Sequence, residues 1–106
     1  MKLRLAVSFQ DDAGERFFGE GPYRLLLGVA ETQSLRASAQ RMGMAYTKAF
    51  RIIKNAEAHL GFPLLERMVG GKGGGGSTLT PEGKELLKRY GAYRLSCDQM
   101  AERLYQ

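Results

Sequence analysis

Between Ser34 and Leu60 the chain carries five cations, Arg36, Arg41, Lys48, Arg51 and Lys54, against the single acid Glu57. Thr47, Lys48 and Arg51 fall within one and a half helical turns of each other, with Asn55 one turn further on. Guanidinium, ammonium, hydroxyl and amide groups at this spacing suit one chemistry, the neutralising of phosphates and the reading of base edges in a nucleic-acid groove. Arg51 is the best placed for bidentate contact with guanine, and Thr47 for a thymine methyl or a phosphate. Lys54 and Asn55, further along, suit the phosphate backbone. Tyr46 and Arg36 would hydrogen-bond phosphate beside the groove. A solvated helix face is the bland alternative for any such basic run.

Catalysis finds no comparable footing. His59 has no paired nucleophile, and no acid/base dyad or Ser-His-Asp set stands out. One cysteine, Cys97, excludes an internal disulfide and, with one histidine, supplies no plausible zinc set. Cys97 reads as a small core or interface residue, and His59 as a helix-end residue that meets the dipole or covers the core. No metal and no cofactor are expected. Gly71, Gly73 and Gly76 formally satisfy the dinucleotide fingerprint GxGxxG, but no βαβ unit surrounds them and no helix starts directly after Gly76. A phosphate-binding P-loop needs lysine next to Ser or Thr, whereas Lys72 lies five positions before Ser77.

The elements that must position the basic residues follow from local signals. Ser34 caps a short helix whose inner stripe is Leu35, Ala39 and Met42, and Gly43 supplies the turn. Ala39 is small enough to let two helices cross closely. From Ala45 to Leu60 the inner stripe is Ala49, Ile52 or Ile53, Ala56 and Leu60, which leaves Thr47, Lys48, Arg51 and Asn55 facing away. Gly61 and Phe62-Pro63 stop that helix. Upstream, Gly21 and Pro22 open a helix carrying Tyr23, Leu26, Leu27 and Ala30, with Pro22 at its first position, and it ends near Gln33. Downstream, Leu64 to Val69 and Ser77 to Leu79 make a β-ribbon around Gly70 to Gly76, with Lys72 at its tip able to reach a phosphate. Thr80 then caps a helix beginning at Pro81, with Glu82 in its first turn.

Lys2 to Phe9 alternates, with Leu3, Leu5, Val7 and Phe9 on one face, and predicts a half-buried strand. Asp11 to Gly14 turns it, and Arg16 to Phe18 returns. At the other end, Leu86, Tyr90, Tyr93, Cys97, Met100 and Leu104 are spaced 4, 3, 4, 3, 4, the a/d pattern of a coiled-coil seam. The seam is too short to stand alone and predicts a contribution to a homodimer interface, unless the whole stripe covers the domain's own core.

The expected fold is mainly α with small β, a winged helix-turn-helix with an N-terminal β-hairpin and a long C-terminal helix. A chain of 106 residues fits one domain, 1–106, made of the hairpin (1–20), the helix-turn-helix and wing (22–80), and the last helix (81–106). Hydrophobic residues at 43% and charged residues at 25% argue against global disorder. The net charge of +5 divides as −1 for residues 1–33, +4 for 34–60, +1 for 61–80 and +1 for 81–106, so the excess sits in the reading motif. No apolar run suits a membrane span or a signal core, and a cytoplasmic location is expected.

The succession GMAYTKAF, PLLER, GGKGGGG and LTPEG, within Phe18 to Tyr90, resembles the N-terminal DNA-binding domain of the molybdate-responsive ModE regulators, itself related to the LysR-type winged-helix domain. The order and spacing of the four pieces carry the resemblance, which covers about two thirds of the chain. It implies a transcriptional regulator whose partner is double-stranded DNA, bound at an inverted repeat by a homodimer. Where that family has a Ser-Tyr start and a Trp in the recognition helix, this sequence has Ala45-Tyr46 and Phe50, and a lost serine cap weakens one interaction by ~1 kcal/mol. Molybdate sensing resides in C-terminal domains for which a chain ending at Gln106 has no room, so molybdate binding is not carried over. The two other readings are a protein-interaction module on the same scaffold, which would need an apolar face on Ala45 to Leu60, and a small molybdate or tungstate sensor.

Overall fold

Asp11 turns the chain at its N-terminal end. Its carboxylate accepts the backbone N–H of Ala13 at 3.0 Å and of Glu15 at 2.9 Å, and Gly14 takes a positive φ of 85° that a glycine adopts without strain. The computed structural model describes residues 2–68 and 76–106. The turn joins β1 (Phe9–Gln10) to β2 (Arg16–Phe18), paired antiparallel, after which come α1 (Glu20–Thr32), α2 (Leu35–Arg41), α3 (Tyr46–Leu60), β3 (Leu65–Arg67), β4 (Ser77–Leu79) and α4 (Pro81–Tyr105).

The hairpin is shorter than the alternation predicts. Residues 2–8 pair with no strand, and they are fastened to α4 instead. Tyr90 donates its hydroxyl to the Val7 carbonyl at 2.6 Å, and the Leu5 N–H donates to the Asp98 carboxylate at 2.8 Å. Leu3, Val7 and Phe9 are half-buried, but Leu5 faces solvent. Pro22 is likewise displaced from its expected place. Gly19 caps α1, so Pro22 is the third helical residue, still within the first turn where its missing N–H costs nothing.

The core gathers Phe18, Leu25, Leu26, Val29, Leu35, Ala39, Ala49, Ile53, Ala56, Leu64, Leu79 and Tyr90. Fully burying a large apolar side chain contributes about 1.5–3 kcal/mol, so this set drives the packing of α1, α2, α3 and the wing root together. Ala39 is buried as expected, but the tightest crossing lies elsewhere. Gly28 of α1 meets Ser38 of α2, whose hydroxyl donates to the Leu25 carbonyl at 2.8 Å. A methyl group on Gly28 would overlap the Ser38 side chain.

The helix boundaries follow their signals. Ser34 accepts the Ala37 N–H at 3.0 Å, Gly43 takes φ 66° in the turn between α2 and α3, and Gly61 ends α3 at φ 85°. Ala45 precedes α3 without a side-chain cap. Thr80 accepts the Gly83 N–H at 2.9 Å and donates to the Pro63 carbonyl at 2.7 Å, so one hydroxyl caps α4 and ties it to the start of the wing.

Candidate nucleic-acid interface

α2, the Gly43 turn and α3 form the helix-turn-helix. α3 buries Ala49, Ile53 and Ala56, and this inner stripe turns Thr47, Lys48, Arg51 and Asn55 outward, all exposed. The side chains of Lys48 and Arg51 enter none of the ion pairs among the described residues. Arg41 is different. It binds Glu31 of α1 at 2.7 Å, a contact that neutralises it and braces α1 against α2.

Arg36 and Tyr46 come together across the turn, with the guanidinium carbon 4.3 Å from the ring centroid. Stacking leaves the guanidinium edge free to donate. Lys54 lies 5.4 Å from the Phe50 ring centroid and 3.3 Å from the Glu57 carboxylate. Glu57 itself turns away from the outer face. It accepts the Leu64 N–H at 2.7 Å and is largely buried, so the only acid of the basic stretch serves as an anchor for the chain entering the wing.

The wing is an antiparallel ribbon in which Leu65 faces Leu79, Glu66 faces Thr78 and Arg67 faces Ser77. It is fixed to the helical layer by the Ser77 N–H, which donates to the Gln33 carbonyl at 3.0 Å. Gln33 reaches that geometry with a left-handed φ of 59° at the end of α1. Lys72 lies outside the described residues, as do Val69, expected to end the first wing strand, and the glycines from Gly70 to Gly75.

Two exposed residues that the sequence reasoning left out belong to this surface. Phe50, 45% exposed, sits one turn beyond Tyr46 with ring centroids 6.1 Å apart. Arg67 ends β3 and, with Phe50, Lys54 and Ser77, lines the groove between α3 and the wing. The aromatic spacing of four was the available signal for Phe50.

On α4 the six seam positions divide. Tyr90 is 2% exposed and packs edge-on against Phe9 and Phe18 at 5.8 and 5.1 Å, so it belongs to the domain's own core and not to a seam between subunits. Burial raises the Tyr90 pKa, which keeps the hydroxyl protonated as the donor to Val7. Leu86 and Cys97 are half-buried, while Tyr93, Met100 and Leu104 are exposed.

A helix-turn-helix with an exposed basic second helix, followed by a β-ribbon and a long helix, is a winged helix-turn-helix. Residues 22–84 match the bacterial regulatory helix-turn-helix proteins of the lysR family, and the chain belongs to that family. It is a family of regulators and not of enzymes, and the dinucleotide reading of the glycine segment falls with that membership. The chain is 37% identical over 68 residues to the molybdenum-pterin-binding protein MopB of Rhodobacter capsulatus, and 38% identical over 73 residues to the molybdenum transport protein ModE of Herbaspirillum seropedicae. These matches cover 64% and 69% of this chain, which spans about a quarter of each relative's length. Among solved structures, the CbnR_DBD-DNA complex superposes with a TM-score of 0.64 at 25% identity, covering 81% of this chain and 94% of that one.

Proposed function

We propose that this domain regulates transcription by binding double-stranded DNA, with the N-terminal half of α3 in the major groove. The observation that carries the reading is the outward row Thr47, Lys48, Arg51 and Asn55 on a helix held by the Gly43 turn, with its one acid drawn back to the wing root. Arg51 reads guanine, and Thr47 meets a thymine methyl or a phosphate. Lys48, Lys54 and Asn55 engage the backbone beside them, with Arg36 and Tyr46 at the groove edge. The similarity to a domain solved in a DNA complex supports this docking. A DNA partner agrees with action in the cytoplasm.

An inverted repeat bound by a homodimer completes the proposal, with Leu86, Tyr93, Cys97, Met100 and Leu104 of α4 contributing the seam. The protein-interaction alternative requires a largely apolar outer face on α3, and on that face Tyr46 and Phe50 are outnumbered by Thr47, Lys48, Arg51, Lys54 and Asn55. Among the described residues nothing in the geometry favours an oxyanion site.

Anisotropy titration against a random duplex pool, followed by sequencing of the bound fraction, tests the reading. Affinity should fall steeply as salt rises, because bound cations displace condensed counterions. Arg51→Ala should cost ~1–3 kcal/mol and relax specificity at one base pair, whereas Lys48→Ala should weaken all sequences alike. Binding that ignores salt and survives Arg51→Ala would overturn it.

A further inference from the structure

The fold brings together three donors that lie far apart in the sequence. His59 near the end of α3 meets Asp11 and Glu15 of the hairpin, with one potential ligand atom from each lying within 4.8 Å of the others. The imidazole is held on three sides. Its Nδ1 is 2.9 Å from the Asn55 carbonyl, and since a carbonyl only accepts, Nδ1 carries the hydrogen. Phe17 lies flat on the ring, with centroids 4.8 Å apart and planes 3° apart. Nε2 is therefore the nitrogen left to face the carboxylates, and it stands 3.1 Å from Asp11 Oδ2.

Asp11 is equally fixed. Its Oδ1 is occupied by the backbone N–H groups of Ala13 and Glu15, so Oδ2 alone is aimed at the imidazole. Such a histidine, with its far nitrogen hydrogen-bonded to a carbonyl, and such a carboxylate, with one oxygen restrained, are how proteins orient metal ligands. Tetrahedral zinc, with bonds of about 2.0–2.2 Å, separates its ligands by roughly 3.3–3.6 Å. The Asp11–His59 pair nearly has that spacing at 3.1 Å, and the exposed Glu15 offers a third ligand atom within 4.8 Å of the other two. Two carboxylates and a neutral imidazole also make a doubly negative set that a divalent ion balances.

We propose that Asp11, Glu15 and His59 form a binding site for a divalent first-row transition cation of the zinc type, with water in the remaining position. The ion replaces the proton on His59 Nε2 and fastens the hairpin to the end of α3. The site lies one helical turn beyond Asn55, whose carbonyl orients His59, and it stands whether or not the DNA reading does.

Calorimetry of the 106-residue protein with Zn2+, and visible absorption with Co2+, would test it in a Cys97→Ser background that removes the thiol as a competing ligand. The expected result is one saturable site that raises the thermal midpoint. Glu15→Gln, on an exposed side chain, and His59→Gln should each weaken binding at least about tenfold while circular dichroism stays unchanged. No saturation below millimolar Zn2+, or binding unaltered by both substitutions, would overturn the proposal.

Discussion

Gly28 decides how closely α1 and α2 approach, because a Cβ there would occupy the space of the Ser38 hydroxyl and Cβ. Ser38 cannot retreat without losing its hydrogen bond to the Leu25 carbonyl, in a place 1% exposed. Gly28→Ala therefore sets a gain in helix propensity of about 1 kcal/mol against the overpacking of a buried crossing, which costs about 1–3 kcal/mol, and loss of the buried hydrogen bond adds to the cost. Net destabilisation is the expected outcome in urea unfolding, and Gly28→Ala/Ser38→Ala should recover part of it by removing the hydroxyl that the new methyl strikes. A stabilised single variant would show that the helices separate freely. The sequence pointed to Ala39 for the close approach because small residues near a turn suggest it. It could not point to Gly28, since a glycine in mid-helix looks the same whether or not another helix lies on it. The pairing of His59 with Asp11 was invisible for a related reason, as the two are 48 residues apart and meet only once the hairpin docks on α3.

Helix ends were legible because their signals are local. Ser34, Gly43, Gly61 and Thr80-Pro81 act on the backbone within one turn of themselves, and each sits where the sequence places it. The first strand was not, because alternation marks an extended chain with one covered face, and that cover is α4 instead of a second strand. α4 is also joined to α1 by Arg94, which holds the Glu20 carboxylate with two hydrogen bonds of 2.8 Å. The hydrogen bonds from Arg94, and to a lesser degree the one from Arg24, lower the Glu20 pKa below its ordinary 4.5. A carboxylate with a depressed folded pKa stabilises the fold above its unfolded pKa, and that stability is lost as pH falls toward the folded value. Glu20 is 41% exposed, so screening limits the contribution to ~1 kcal/mol. Glu20→Gln should lower the thermal midpoint at neutral pH, and the gap from the parent should close as pH falls below the ordinary carboxylate range. A gap independent of pH would assign the effect to packing.

At the scale of the molecule, extents of 53 × 32 × 25 Å reflect α4 running beyond the helical layer. Tyr90 is the last residue of α4 buried in the core; beyond it Tyr93, Leu95, Met100, Leu104 and Tyr105 are exposed, with Leu104 at 79%. The N-terminal segment covers part of this helix through Val7 and Leu5, which leaves the surface around Met100 and Leu104 without cover among the described residues. Apolar residues at seam spacing and this exposure favour a second helix of the same kind, and a two-fold arrangement would place two α3 helices on half-sites about one helical turn, or a multiple of it, apart. Met100→Lys/Leu104→Lys puts two like charges where the seam would close and touches nothing in the core. Light scattering after gel filtration should show the parent as a dimer and the double variant as a monomer with an unchanged circular dichroism spectrum. On an inverted repeat the variant should lose at least about tenfold in affinity, because the second half-site no longer binds as a linked event, while its affinity for a single half-site stays that of the parent. A parent that is monomeric at binding concentrations would overturn the dimer, whereas a variant that stays dimeric and keeps full affinity for the repeat would move the dimer contact away from α4 and toward the hairpin.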